Sequence, residues 1–296
     1  MNWKGLKILP VLNLKSHAMY CNILIQKEHP KYRAVKKMTK LLLEFVEADC
    51  MYFSESDLES KIGIMTLVIS RESEHYYDDV NDHLWKVIQN HNEFVFCFFN
   101  RECIKDELKR GNLFFIFHCR EKELIYKKSG QNAVLDIRNI KMKRLLKQTG
   151  RRYSMWTSES NTIGRDFKHH HRNDNHLMAL YVLQQQFRYL FINASWLVKG
   201  EWTPHESISY QQKYIGAFNI SLGNVFDLNN EKERRVLEKI ECACKEVQWG
   251  EKDESFDVET VNYVQEKLEW MKKEVQAIFL EKREKIKEIF KSHGKR

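Results

Sequence analysis

Apolar residues recur at helical spacing near both ends of this chain and in short unbroken runs between them. Over residues 31–47, Val35, Met38, Leu42, Phe45 and Val46 share one face, which predicts an amphipathic helix. Five runs rich in β-branched and aromatic residues follow: CMYFS, KIGIMTLVIS, EFVFCFFN, LFFIFHC and ELIYKK. Each has the length of a strand, and KRGN at 109–112 and CREKE at 119–123 read as turns. Between the second and third runs, Val80, Leu84, Val87 and Ile88 repeat as a helix would. Asp78 and Asp79 before it suit a first turn, where carboxylates offset the helix dipole.

Past Lys127 the pattern changes. Residues 127–153 hold nine Lys and Arg against one acid, Asp136, which predicts a basic bridging helix, and SMWTSESNTIGRDF after it reads as a loop. An oily helix should then run from near Asn175 to Gly200. In the last long segment Val261, Val264, Leu268, Met271, Val275 and Ile278 step by three and four, the seam of one helix packed along another. The expected fold class is α+β: an α/β domain over 1–130, the basic helix and loop over 131–164, and an all-α bundle over 165–296.

The apolar run 177–198 is nearly long enough to span a bilayer, yet it carries Gln184, Gln185, Gln186, Arg188 and Asn193. A buried bundle helix fits that polar load better, and no membrane partner is expected. With 49 Lys and Arg against 41 Asp and Glu, the formal charge of +8 favours an anionic partner. Seven cysteines without paired CxxC spacing signal neither a disulfide framework nor a zinc site, which suits reduced thiols in a cytoplasm. The first residues lack an uninterrupted apolar run and a small-residue cleavage site, so they read as mature protein.

The candidate chemistry centres on LVKGEWTPHESISYQQ, residues 197–212. Lys199 falls in the last turn before Gly200; Thr203, Pro204 and Glu206 form a capping box that places His205 in the first turn of the next helix. Free backbone N–H groups and the positive dipole end there favour a phosphate oxygen. Arg188, Ser195 and Lys199 share one face of the preceding helix, and Gln185 lies one turn further up. A plainer alternative stays open, in which Gln185 and Arg188 bond inside the bundle and the capping box only starts a helix. His169, His170, His171 and His176 have no carboxylate neighbour beyond Asp166 and Asp174 and read as a solvated loop, so no metal or other cofactor is expected.

The segment LMALYVLQQQFRYLFINASWLVKGEWTPHESISYQQKYIGAF, continued by RRVLEKIECACKEVQWGEKDESFDVETVNYVQEKLEWM, resembles the HEPN superfamily over about residues 165–280. The strand-rich first half is similar to the minimal nucleotidyltransferase fold found beside such bundles. The resemblance implies a metal-independent endoribonuclease of toxin or defence type, acting on RNA or a nucleotide as a homodimer, with a possible cognate antitoxin. His205 would be the general base or acid at the ribose 2′-hydroxyl, Lys199 would steady the phosphorane, and Arg188, Gln185, Ser195 and Glu206 would bind substrate.

Two departures temper that expectation. The first strand ends in Ser54-Glu55-Ser56 and the second reads Ile64 to Val68, with no aligned carboxylate for Mg²⁺, so the nucleotidyltransferase-like domain is expected to be inactive. Lysine at 199 keeps the charge of the nuclease motif's arginine and loses its bidentate fork. Arg165 with His170 or His171 matches the motif spacing but lacks its helix-start context. The alternatives are a non-catalytic nucleotide- or RNA-binding regulatory module and, less favoured, a nucleotidyltransferase using Glu55, Asp57 or Glu59.

Overall fold

The structure, a computed structural model, describes residues 23–56, 62–70, 88, 90–133, 135–201, 205, 207–250 and 255–293. Asp57, Glu59, Asp78, Asp79, Thr203, Pro204 and Glu206, and most of the expected helix around Leu84, lie outside these residues. The fold is mixed α+β, with a small four-stranded sheet and a mostly helical C-terminal region. The chain divides into two compact units, Met1–Ser54 with Gly63–Glu102 and His118–Val134, and Glu55–Ile62 with Cys103–Phe117 and Leu135–Arg296.

In the first unit β1 (Ala48–Glu55), β2 (Gly63–Ile69), β3 (Phe94–Asn100) and β4 (Leu124–Lys127) stand in the order β3-β2-β1-β4. β2 pairs in parallel with β3 from Gly63 with Phe94 to Ile69 with Asn100. β1 pairs antiparallel with β4, with a register break between Met51 and Tyr52. Every residue of β2 is buried, which is why its run shows no alternation. The first helix, α1 (Tyr32–Leu43), buries Val35, Met38 and Leu42 against a core that includes Met51, Phe53, Met65 and Phe94, on the face expected from spacing.

After β3 the chain forms α2 (Arg101–Lys109) and α3 (Phe114–His118). LFFIFHC is therefore a helix and not the strand its composition predicts. The amide of Phe114 donates to the side chain of Asn112 (3.1 Å), a start signal that outweighs the β-propensity of a short run.

The second unit contains α4 (Met142–Arg172), α5 (His176–Lys199), α6 (Ile208–Gly216), α7 (Ile220–Gly223), α8 (Glu231–Trp249) and α9 (Val258–His293). SMWTSESNTIGRDF, read above as a loop, is the interior of α4. Its buried face is Leu145, Leu146, Thr149, Trp156, Ser160 and Phe167, so two of the core positions are hydroxyls. Tyr153 stacks on Phe279 of α9 (3.9 Å), and Trp156 meets Trp196 of α5 edge to face (5.4 Å). Asp174, at φ +53°, turns the chain, and Asn175 caps α5 by accepting from the Met178 amide (3.1 Å).

α5 is the axis of the bundle, with Leu183, Phe187, Phe191, Ala194, Trp196 and Leu197 fully enclosed. It ends where expected, at Gly200 with φ +84°. A Cβ there would lie 2.7 Å from the Phe114 ring as well as straining the backbone, and the Gly200 carbonyl accepts from Asn112 (2.6 Å). All six seam residues of α9 are buried. Among the described residues no helix is long and apolar enough to cross a membrane.

Candidate functional site

The turn between α5 and α6 brings most of the expected chemistry into view. α6 starts at Ile208 with Ser207 as its N-cap, accepting from the Tyr210 amide (3.2 Å), so the helix begins four residues later than the capping box suggests. His205 precedes the helix and is exposed. Its ring stacks on Tyr210 (4.0 Å), and its Nδ1 accepts from the Ser207 amide (3.0 Å), so the neutral ring carries its proton on Nε2.

Lys199 has a different environment. Only 5% exposed, it forms an ion pair with Glu201 and sits 3.7 Å above the centre of the Tyr214 ring. Tyr214 donates to Glu201 (3.2 Å) and lies nearly parallel to Tyr210 (6.2 Å), so a row of two tyrosines connects the ammonium to the imidazole. Each candidate catalytic group is committed to partners within the chain.

The anion favoured at the start of α6 is also supplied internally. Glu241 of α8 accepts from the Ser207 hydroxyl (2.7 Å) and from the Ser209 amide (3.1 Å). A phosphate at this helix start would have to displace that carboxylate.

The expected substrate-binding residues of α5 form an internal chain. Arg188 donates to Gln185 (3.0 Å), and Gln185 donates to Gln184 (2.7 Å). Ser195 is buried. Gln184, Gln185 and Arg188 thus bond to one another along α5, while Nε of Arg188 is enclosed without a partner.

A second surface has the opposite character. Along α4, Arg144, Lys147, Arg151, Ser154, Ser158, Asn161, Arg165, Lys168 and Arg172 step by three and four and all are exposed. At 1.5 Å per residue the row is about 42 Å long. Five of the cations at its ends, with Lys143 beside them, leave a centre of hydroxyl and amide groups, and Arg165 stands just past that centre. None of the seven, Lys143, Arg144, Lys147, Arg151, Arg165, Lys168 and Arg172, has an ion pair or hydrogen bond among the described residues. The two acids of the helix, Glu159 and Asp166, lie about a quarter to a third of a turn aside from the row. The basic composition of 127–153 signalled one end of this surface; Arg165, Lys168 and Arg172 were obscured by reading their neighbourhood as loop.

The histidine cluster closes α4. His169, His170 and His171 occupy its last turn, where imidazoles suit the negative dipole end, and His171 stacks on Phe167 (5.3 Å). The described residues include no group of three His, Cys, Asp or Glu able to hold a metal ion. In the sheet, β2 contains no carboxylate, and Asp49 of β1 accepts from Ser70 (2.7 Å) and pairs with Arg101 (3.3 Å). No known protein family, curated protein or solved structure matches the chain.

Proposed function

We propose that the protein is a HEPN-like bundle joined to an inactive nucleotidyltransferase-like domain, and that it binds single-stranded RNA without cleaving it, through the exposed face of α4. The observation that carries this reading is the row of exposed cations that no carboxylate of the described residues neutralises. A polyanion laid along it releases counterions and gains one charge-assisted contact per phosphate. The central hydroxyls and amide, Ser154, Ser158 and Asn161, suit the 2′-hydroxyls that distinguish RNA from DNA. Burial of Lys199, and occupation of the α6 start by Glu241, favour the non-catalytic reading over the nuclease.

The test is fluorescence anisotropy with a labelled 20-nucleotide RNA and its DNA counterpart. RNA binding that weakens steeply with salt and is lost when Arg144, Lys147, Arg151 and Arg172 become glutamate supports the proposal. Equal binding by that variant refutes it. A preference for DNA refutes the RNA assignment.

The endoribonuclease remains a second reading because His205 is exposed with its tautomer set by the Ser207 amide. A two-fold partner would have to supply the phosphorane-stabilising cation. Incubation with RNA in EDTA, beside His205→Ala, decides between them. Cleavage lost in the variant establishes this second reading; no cleavage by either removes it.

A further inference from the structure

Where α4 leans against α5 and α9, a recess of about 360 Å³ opens among Asn161, Gly164, Arg165, Lys168, Gln186 and Lys272. Gln186 comes from the buried axis of the bundle and is 2% exposed, yet its amide has no hydrogen-bond partner among the described residues. An amide with no partner in the chain must reach water or a ligand, and the polar atoms of Gln186, in an otherwise buried residue, are not fully enclosed. This amide borders the recess.

Gly164 is what lets it sit there. A Cβ on Gly164 would lie 2.7 Å from Oε1 of Gln186 and 3.2 Å from its Cδ, so the missing side chain on α4 is the space the amide occupies. At the mouth stand the unpaired Arg165 and Lys168, and Lys272, which pairs with Glu269 (2.6 Å). The recess thus presents two cations without internal partners, the Lys272–Glu269 ion pair and an amide with no bond inside the chain.

We propose that this recess is a phosphate monoester site, taking the terminal phosphate of a nucleotide or of an RNA strand. The two unpaired cations match the dianionic charge of a monoester, where an internal diester has one charge. Arg165 offers the planar fork that fits two phosphate oxygens, and Lys168 adds a point charge. The Gln186 amide donates to a third oxygen. Asn161 and Arg165 also line the adjoining groove with Ser154, Thr157 and Ser158, so a strand held at its end by the recess continues along α4. The proposal rests on the RNA reading only for the strand; a mononucleotide tests the recess without it.

Calorimetric titration of the full chain with AMP, adenosine and inorganic phosphate is the direct experiment. AMP and phosphate should bind and adenosine should not. Gly164→Ala, which places its methyl where the amide now lies and favours helix, should weaken AMP at least tenfold while the circular dichroism spectrum is unchanged. Gln186→Leu should do the same, so a folding defect in one variant leaves the other to report. Absence of AMP binding, binding of adenosine as tight as AMP, or AMP affinity unchanged in both variants overturns the proposal.

RNAs with a 5′-phosphate, a 3′-phosphate or neither identify the source. A preference of about tenfold for one phosphorylated end, lost in Gly164→Ala, assigns the strand end; equal binding of all three with AMP binding intact overturns the strand arm and confines the site to mononucleotides. Loss of RNA binding with AMP binding retained refutes the α4 interface and leaves the recess standing.

Discussion

α4 and the pair α8 and α9 are all charged helices, and they manage their charge in opposite ways. On α8 and α9 many of the cations are matched by nearby acids: Arg235 with Glu231, Lys239 with Asp257, Lys267 with Glu233, Lys285 with Glu281 and Lys287 with Glu284. Such pairs are worth little individually at an exposed surface, but each weakens its cation's attraction for an external anion. The outer row of α4 has no such partners among the described residues. Net charge already separates the two regions, since α4 holds eight Lys and Arg against two acids while α8 and α9 are nearly balanced, and the state of pairing sharpens the difference.

Reversing charge tests that contrast most severely. The combined change Arg144→Glu, Lys147→Glu, Arg151→Glu and Arg172→Glu is expected to weaken RNA binding by on the order of 10³-fold, since it removes four phosphate contacts and adds repulsion. Arg234→Glu, Arg235→Glu, Lys285→Glu and Lys287→Glu together should change affinity by less than about threefold relative to the same decrease in net charge. Equal losses in the two variants would show that only total charge matters.

Salt gives a second measure. With four to seven phosphates neutralised, log affinity against log salt should have a slope of about −3 to −5 for a single strand. Affinity then falls roughly 60- to 1,000-fold between about 50 and 200 mM salt. In the α4 variant the slope should flatten by about 3.

The paired helices should show their charges in stability instead. Asp257 caps α9, accepting from the Thr260 amide (2.7 Å) and hydroxyl (2.9 Å), and pairs with Lys239 (2.8 Å). The bond from Lys239, followed by those from Thr260, pulls its pKa down to about 2. The unfolded value is about 3.9, so this stabilisation is complete above about pH 4 and is lost as pH falls toward 2. Asp257→Ala should cost ~1 kcal/mol at pH 7, from the lost cap, and little at pH 2, with RNA affinity unchanged. Urea denaturation at the two pH values reads both. The smallest effect is expected at His205→Ala, whose RNA affinity should stay within about twofold; a tenfold loss would move the interface from α4 to the α5–α6 turn.

Local signals made several elements legible. The α9 seam, the apolar face of α1 and the Asn175 and Gly200 ends of α5 all follow from spacing or from one residue's backbone preference. α4 was legible only at its basic start. Its inner face carries Thr149, Arg152, Ser160 and Gly164 among the aromatics, which breaks the apolar period. Packing accommodates these residues: Thr149 donates to the Gly111 carbonyl (2.6 Å), and Arg152 lies over the rings of Trp156 (4.6 Å) and Trp196 (5.5 Å). Partial burial draws the pKa of Arg152 below its ordinary value, as expected for a cation packed against aromatic rings.

The site residues divide in the same way. Periodicity put Arg188 and Gln185 on one face but did not show that they bond to each other, because hydrogen-bond partners depend on rotamers and neighbouring helices. Nor did it show that Glu241, far along the chain, fills the start of α6.

By itself the chain's order of residues determined the mixed class, the oily axis and the closing seam, since periodicity and helix ends act within a few positions. Tertiary structure alone decided which charges are spent. Burial of Lys199, the place Gly164 leaves for Gln186 and the unneutralised row on α4 each depend on groups distant in sequence, and electrostatic and packing energies follow distance in space.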